Sequence, residues 1–257
     1  RVFCEPKVHN AVAIAPTYSM YKVAAEINDV EVREVQLEED FSLDADKLLA
    51  ATDANTRLLW LCSPNNPTAN SFPTATIERI IREFAGIVVL DEAYIDFAAE
   101  PGFLSRLGEF PNLIVLQTLS KAWGMAGLRL GLAFADPLIV ATLSNVKYPY
   151  NVNGPTQQTV LERLAGSPAA QVAEILSERR RVAAALQPMK VVRKLYPSDA
   201  NFVLVKVDEP RKVYDRLIAA GIIVRDRSRM QGCEGCLRIT IGTPEENTRL
   251  LEVMAQL

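Results

Sequence analysis

Apolar, β-prone runs alternate with amphipathic segments along the first half of the chain, and this alternation is the strongest constraint on the fold. Helix-like segments such as SMYKVAAEIN and TATIERIIREFA separate several of these runs. Nearly continuous apolar strands that alternate with helices are typical of a parallel sheet covered on both faces. The pattern therefore predicts an α/β fold with a mostly parallel sheet sandwiched by helices. The strand candidates are residues 11–16, 30–37, 57–64, 86–94, 112–120 and 128–135.

The pattern changes near residue 155, where longer amphipathic helices and shorter strands begin. PTQQTVLERLAG and PAAQVAEILSERRRVAAALQPM have helical periodicity, whereas VVRKLYP, NFVLVKV, IIVRD and CLRITIG have the composition of strands. Thr243 and Glu246 have the spacing of a capping box, which predicts a final helix. This α+β texture predicts a smaller C-terminal domain. We expect a large domain over residues 1–160 and a small domain over residues 161–257.

Composition argues against several classes of function. The chain has 257 residues, and 28 Lys and Arg against 31 Asp and Glu give a net charge of −3. Nucleic-acid and membrane-surface binding usually require a basic excess, and no apolar run has the length of a membrane span, so neither partner is predicted. A catalytic Ser-His-Asp or Cys-His arrangement would have to use His9, the single histidine.

The cysteines indicate a reducing environment. Four cysteines are too few for a disulfide scaffold, so the cytoplasm is the expected location. Cys233 and Cys236 have the spacing of half a zinc or redox site. A zinc site normally requires a second ligand pair, and Cys4 and Cys62 do not form one. We interpret CEGC as a loop that enters a strand, and no metal site is predicted.

Polar and reactive side chains follow four of the predicted strands at the point where each strand ends. The segments are APTY, SPNNPT, DEAY and TLSK, in this order. Ligands gather at the carboxyl ends of the strands in α/β sheets. Taken singly, each segment has an ordinary explanation: Asp91 caps a turn, Lys121 is solvated, and Asn-Pro pairs form turns. Their combination at successive strand ends favours one functional site.

The ordered set APTY, SPNNPT, VVLDEAY and TLSKAWGMAGLRLG resembles the fold-type I pyridoxal-phosphate enzymes, the aminotransferases of classes I and II. The resemblance covers essentially the whole chain. DEAYIDF, TLSKAWGMAGLRLG and GIIVRDRSR, followed by GCLRITIG, are most similar to the histidinol-phosphate branch. The resemblance implies pyridoxal phosphate as the cofactor and transamination between histidinol phosphate and 2-oxoglutarate or glutamate, in histidine biosynthesis. It also implies a homodimer.

The resemblance assigns catalytic roles to three residues. Lys121 would form the imine with the cofactor aldehyde and would then move the proton between substrate and cofactor, which requires a nucleophilic amine. Asp91 would pair with the pyridine nitrogen and keep it protonated, so that the ring is a better electron sink. Tyr94 would donate a hydrogen bond to the phenolic oxygen of the cofactor.

Five further residues would bind the cofactor according to the same resemblance. Tyr18 would stack on the face of the ring, and Asn66 would donate to the phenolic oxygen. Thr118, Ser120 and Arg129 would hold the phosphate, for which the permanently charged fork of a guanidinium is well suited.

Two arginines of the small domain would bind the substrate. Arg225 matches the position that binds the substrate phosphate in the histidinol-phosphate branch. Arg238 matches the carboxylate-binding arginine of the family and is assigned to glutamate and, in part, to the substrate phosphate. Considered alone, Arg225 belongs to the basic run RDRSR, and such runs usually form a solvated face.

The chain departs from the family pattern in two places. Ala69 stands where relatives often have glycine, which matters little unless φ must be positive there. The chain begins with Arg1, and we expect a preceding segment that completes the cofactor phosphate site and reaches the partner subunit. The Asn66–Pro67 bond is expected to be cis, as in the relatives, although only about 5–6% of X–Pro bonds in folded proteins are cis.

Alternative functions stay open on the sequence alone. Another aminotransferase of the family, such as an aromatic one, and a threonine-phosphate decarboxylase would use the same scaffold. A non-catalytic pyridoxal-phosphate-binding regulator is the alternative from a different class. It would need a DNA-binding segment, whereas this chain is acidic and retains Lys121, Asp91, Tyr94 and Arg238.

Overall fold

A computed structural model describes residues 1–257 and contains ten strands and eight α-helices. The strands are β1 Asn10–Ala15, β2 Glu31–Gln36, β3 Thr56–Cys62, β4 Ile87–Asp91, β5 Leu113–Thr118, β6 Gly131–Ala135, β7 Val192–Leu195, β8 Phe202–Val207, β9 Arg225–Asp226 and β10 Cys236–Thr240. The helices are α1 Met20–Glu26, α2 Ala45–Ala50, α3 Thr74–Glu83, α4 Pro137–Val146, α5 Gly154–Leu164, α6 Ala169–Leu186, α7 Pro210–Ala219 and α8 Pro244–Met254.

The first six strands form one sheet in the order β2-β1-β3-β4-β5-β6. All neighbouring pairs from β2 to β5 are parallel, and β6 is antiparallel to β5 at the edge. The predicted α/β fold with a mostly parallel sheet is therefore confirmed. Because the parallel strands run the same way, the segments that follow β1, β3, β4 and β5 all emerge at one edge of the sheet.

Both faces of this sheet are covered, which explains why its strands are apolar without alternation. One set of alternating residues, such as Val88 and Leu90 of β4, packs in a large cluster with α2 and α3. In α3 the residues Ile77, Ile80 and Ile81 recur at helical spacing and are buried in the same cluster. The residues on the opposite face pack in smaller clusters against α1 and α4.

The last four strands form a second, antiparallel sheet in the order β7-β8-β10-β9. Helices α6, α7 and α8 bury apolar residues against it in a separate core cluster. Thr243 and Glu246 form the predicted capping box at the start of α8. The division into domains over residues 1–160 and 161–257 stays a proposal, and residue 160 lies within α5.

Two helices were missed in the sequence, and local capping explains both. Asp44 accepts hydrogen bonds from the backbone of Asp46 and Lys47 at the start of α2. Asp136 accepts from the backbone N–H of Leu138, with Pro137 at the first position of α4. An acidic N-cap satisfies N–H groups that a helix leaves free at its first turn. None of the eight helices has the length and apolar composition needed to cross a membrane.

Candidate active site

A cavity of about 750 Å³ lies where the carboxyl ends of β1, β3, β4 and β5 face β9 and β10 of the second sheet. The structure brings all ten predicted site residues to the wall of this cavity. Six of them end or follow strands of the first sheet and were assigned to the ring or the phosphate of the cofactor, namely Tyr18, Asn66, Asp91, Tyr94, Thr118 and Ser120. The other four are the cations Lys121, Arg129, Arg225 and Arg238.

Asp91 is the last residue of β4 and the only carboxylate in the wall of the cavity. Its Oδ2 accepts a hydrogen bond of 2.6 Å from the hydroxyl of Tyr21, and its Oδ1 accepts one of 3.0 Å from the backbone N–H of Ala93. Burial raises the pKa of Asp91 above its ordinary value, although these hydrogen bonds and the charge of Lys121 act to lower it. The carboxylate is thus held in place but lacks a full cationic partner.

Tyr21 was not identified as a site residue from the sequence. It lies outside the wall of the cavity and donates its hydroxyl hydrogen bond to Asp91. Its side chain is 5% exposed and stacks on Trp60, with ring centroids 4.8 Å apart and an angle of 16° between the planes. Burial raises the pKa of Tyr21 far above its ordinary value of 10, so that the hydroxyl remains a donor. The second tyrosine of PTYSMY, three residues after Tyr18, is the only signal for it in the sequence.

Lys121 lies just after β5 in a partly enclosed position. Its Nζ lies 5.3 Å from the centroid of the Tyr94 ring. Burial lowers the pKa of Lys121, and the charges of Arg238 and Arg129 lower it further, whereas Asp91 acts in the opposite direction. A lowered pKa increases the fraction of neutral amine, which is the nucleophilic form.

Arg238 connects the second sheet to the segment after β3. Its Nη1 donates a hydrogen bond of 2.7 Å to Oδ1 of Asn66, and its guanidinium lies 4.8 Å from the centroid of the Phe202 ring. The buried Nε of Arg238 has no hydrogen-bond partner. Because Asn66 uses its oxygen for Arg238, its amide N–H groups are left to donate into the cavity.

Tyr94 is buried beside these groups and packs edge-on against Phe202, with ring centroids 5.2 Å apart. Burial raises the pKa of Tyr94 to about 12, although the charge of Arg238 acts to lower it. The phenol is therefore protonated at neutral pH and is able to donate a hydrogen bond.

The segment after β3 adopts the predicted cis bond between Asn66 and Pro67. Ala69 has a φ of 72°, in the left-handed region, and is fully buried. The change from glycine is therefore not neutral for the backbone, because a non-glycine residue in this region costs about 1–2 kcal/mol. This corrects the expectation that alanine fits easily at this position.

The segment from Thr118 to Arg129 carries the three predicted phosphate ligands. Thr118 ends β5, and its Oγ1 accepts a hydrogen bond of 3.1 Å from the backbone N–H of Ser120. Arg129 has a left-handed backbone with φ of 55°, and its Nη1 donates a hydrogen bond of 3.0 Å to the backbone oxygen of Ala126. The exposed guanidinium of Arg129 keeps its other donors available to an anion.

The basic run RDRSR is divided by the structure. Arg225 and Arg227 line the cavity, whereas Arg229 lies outside its wall. Arg225 is exposed like Arg229, although it borders the cavity, whereas Arg227 is half-buried. Arg227 was not identified in the sequence, although its spacing of two residues from Arg225 is the spacing of side chains on one face of a strand.

Comparison with known proteins identifies the family. The family model for aminotransferase class I and II matches residues 1–254. The chain belongs to this family. The cavity described above is therefore the candidate active site of a class I and II aminotransferase, and the residues assigned to it in the sequence lie around one space.

Two relatives and two solved structures illustrate the likeness. The chain is 53% identical to the histidinol-phosphate aminotransferase of Parabacteroides distasonis, an alignment that covers 100% of this chain and 75% of the relative. It is 49% identical to the enzyme of the same name from Bacteroides thetaiotaomicron, with 99% and 74% covered.

The solved structures show the fold. The histidinol-phosphate aminotransferase of Clostridium acetobutylicum superposes with a TM-score of 0.91 at 22% identity, covering 97% of this chain and 78% of that structure. The enzyme of the same name from Sinorhizobium meliloti, in complex with pyridoxal-5′-phosphate, has a TM-score of 0.85 at 23% identity, with 98% and 71% covered. Both support the assignment of the two sheets to the fold-type I architecture.

Proposed function

We propose that this protein is a pyridoxal-phosphate-dependent aminotransferase that transfers an amino group between histidinol phosphate and 2-oxoglutarate or glutamate, in histidine biosynthesis. One observation carries the proposal: a single cavity joins a half-buried amine, a half-buried carboxylate and several arginines that form no salt bridge. The 53% identity to a histidinol-phosphate aminotransferase supports the choice of substrate.

The residues of the cavity fit pyridoxal phosphate. Asp91 is a half-buried carboxylate without a full cationic partner, which suits a protonated pyridine nitrogen. Lys121 is an amine of lowered pKa, which suits an aldehyde. Arg129 has free donors beside Thr118 and Ser120, which suits a phosphate. When bound, pyridoxal phosphate supplies an electron sink for the charge left on the substrate carbon after that carbon loses its proton.

The side chains of the protein then perform the remaining tasks. Lys121 would take the proton from the amino-bearing carbon of the substrate and deliver it to the cofactor. The single histidine, His9, does not line the cavity, so it offers no alternative base there. Asp91, oriented by the hydrogen bond from Tyr21, would hold a proton on the ring nitrogen. Tyr94 and Asn66, which line the cavity, would donate hydrogen bonds to the cofactor, and Tyr18 would cover the ring face.

The arginines of the second sheet determine which substrates enter. Histidinol phosphate and glutamate use the site in turn, and both are anions that a guanidinium binds in a bidentate manner. We assign Arg238 to the carboxylate of glutamate and, in part, to the substrate phosphate. We assign Arg225 to the phosphate of histidinol phosphate.

We expect Arg225→Ala to raise KM for histidinol phosphate by roughly ten- to hundredfold and KM for glutamate much less, because a lost charge-assisted contact costs about 1.5–3 kcal/mol. Steady-state assays of the two half-reactions measure this difference. Arg229→Ala is the matched control, since Arg229 belongs to the same run but lies outside the cavity. Small and equal effects on both substrates would argue for a general amino-acid aminotransferase.

Side-by-side assays of the unaltered protein test the substrate directly. Histidinol phosphate, phenylalanine and threonine phosphate, each with 2-oxoglutarate, distinguish the proposed activity from an aromatic aminotransferase. Release of carbon dioxide from threonine phosphate would indicate the decarboxylase instead. No transfer from any amino donor would favour the non-catalytic regulator.

We also propose a homodimer, supported by a surface formed by α4, α5 and the loop between them. Leu138, Tyr148, Tyr150 and Leu161 are between 70% and 96% exposed, which is unusual for large apolar side chains so close together in the chain. Sedimentation should give the mass of two chains, and Tyr150→Asp together with Leu161→Asp should shift it toward one. A monomer with full activity would contradict the proposal.

We also propose that the protein is located in the cytoplasm. Cys4, Cys62, Cys233 and Cys236 are all unpaired, which is the state that a reducing compartment maintains. Fractionation of cells that produce the protein would test this assignment.

A further inference from the structure

The arginines of the second sheet share one face of the β9–β10 pair. Arg225 lies directly opposite Arg238 in the antiparallel register. The backbone N–H of Arg227 donates a hydrogen bond of 2.9 Å to the carbonyl of Cys236, so the pairing continues beyond β9. Opposite residues, and residues two apart on a strand, point to the same side of a sheet. All three guanidinium groups accordingly line the cavity.

This cluster of like charges has no acidic partner in the protein. No salt bridge of the structure involves Arg225, Arg227 or Arg238. Asp226 lies between two of them in the sequence, but its Oδ1 accepts hydrogen bonds of 2.8 Å and 2.6 Å from the backbone and hydroxyl of Ser228. Like charges opposite each other destabilise a sheet. A ligand with more than one negative charge would relieve this repulsion.

Arg227 has unused capacity to bind such a ligand. Its Nε is buried without a hydrogen-bond partner, which is costly unless a ligand supplies an acceptor. Arg238 shares this feature at its own Nε, but its Nη1 already donates a hydrogen bond of 2.7 Å to Asn66. A phosphate monoester carries a charge of about −1.5 to −2 at pH 7, more than one guanidinium neutralises. A pair of arginines matches that charge better than one.

We infer that Arg227 is a specificity-determining residue that binds the phosphate of the phosphorylated substrate together with Arg225. The inference rests on the proposed function for the identity of that substrate. Arg227 distinguishes a phosphate from a carboxylate, because its contribution is largest for a ligand with two charges. It has no part in proton transfer, since that step belongs to the opposite wall of the cavity.

The test compares Arg227→Ala with Arg229→Ala in the cofactor-loaded protein. Arg227→Ala should raise KM for histidinol phosphate by roughly ten- to hundredfold, leave its kcat nearly unchanged and affect KM for glutamate much less. Arg229→Ala should change none of these values. Arg227→Lys should recover part of the loss, because an ammonium restores the charge without the fork.

Binding of inorganic phosphate supplies a readout that does not depend on turnover. Calorimetry on the cofactor-loaded protein should show weaker phosphate binding after Arg227→Ala and unchanged binding after Arg229→Ala. Thermal unfolding in the absence of phosphate should show no loss of stability, since the substitution removes repulsion. If Arg227→Ala does not fold, Arg227→Gln serves in its place, because glutamine keeps a polar side chain without the charge.

The outcomes separate this inference from the proposed function. If the unaltered protein transaminates histidinol phosphate but Arg227→Ala behaves as Arg229→Ala does in both assays, the role of Arg227 is refuted and the function stands. If histidinol phosphate is not a substrate, the proposed function fails. In that case weaker phosphate binding after Arg227→Ala still supports the phosphate site, and equal binding overturns it.

Discussion

Replacing Lys121 by alanine should lower kcat for transamination by roughly 10⁴-fold or more, because the substitution removes both the nucleophile and the base that moves the proton. The position of the amine supports this magnitude. Burial and the charges of Arg238 and Arg129 lower the pKa of Lys121, so more of the neutral form is present at a given pH than for an exposed lysine. No other side chain in the wall of the cavity is a lysine or histidine.

Two further variants sharpen this test. Lys121→Arg keeps a positive charge but has no nucleophilic amine, and it should be as inactive as Lys121→Ala. Lys190→Ala replaces an exposed lysine and should retain activity. Treatment with borohydride followed by peptide mapping should attach the cofactor to Lys121 in the unaltered protein. An adduct on another lysine, or an active Lys121→Arg variant, would refute the assignment.

The sequence allows the parallel sheet and most of the site to be predicted for one physical reason. Buried parallel strands are apolar throughout, so charged or reactive residues stand out at their ends, as Asp91 does after VVL and Lys121 after TLS. The parallel direction of the strands then brings those ends together. The capping box of α8 was predictable as well, because its hydrogen bonds are local.

What was missed depends on contacts that local patterns do not encode. Tyr21 reaches Asp91 across 70 positions of sequence, and only the tertiary fold makes that hydrogen bond visible. Arg227 resembles an ordinary surface arginine until β9 turns it toward the cavity. The left-handed backbone of Ala69 carries no signal in its own side chain. The antiparallel direction of β6 was equally hidden, because strand composition does not record direction.

Replacing Asp91 by asparagine should lower kcat by about 10²- to 10³-fold, because asparagine offers no negative charge to hold a proton on the ring nitrogen. The same substitution should stabilise the cofactor-free protein at neutral pH. Burial raises the pKa of Asp91 in the folded protein above the ordinary value of 3.8. The folded state therefore binds this proton more tightly than the unfolded state, and stability is lost as the pH rises through the raised pKa.

Asparagine removes this cost but reverses one local hydrogen bond. Its Oδ1 is able to accept from the backbone N–H of Ala93, whereas its Nδ2 donates to the hydroxyl oxygen of Tyr21. The Tyr21 hydroxyl, which donates to Asp91 in the parent, then has Cys62 as its remaining side-chain partner. Asparagine does not ionise, so the gain in stability relative to the parent builds up between the ordinary pKa of 3.8 and the raised pKa of Asp91, and it is complete above the raised pKa. Below about pH 4 the aspartate is protonated in both states of the parent, and this pH-dependent difference should vanish.

Urea unfolding of the cofactor-free protein at pH 7 and at about pH 4 measures this effect. We expect Asp91→Asn to have the larger free energy of unfolding at pH 7 and nearly the parent value at low pH. Glu252→Gln, at an exposed acidic position of α8, should show no such dependence. A gain in stability together with a loss of activity would mean that the Asp91 carboxylate destabilises the cofactor-free protein and is needed for the reaction. If the free energy of unfolding of Asp91→Asn falls relative to that of the parent between about pH 4 and pH 7, the prediction is wrong.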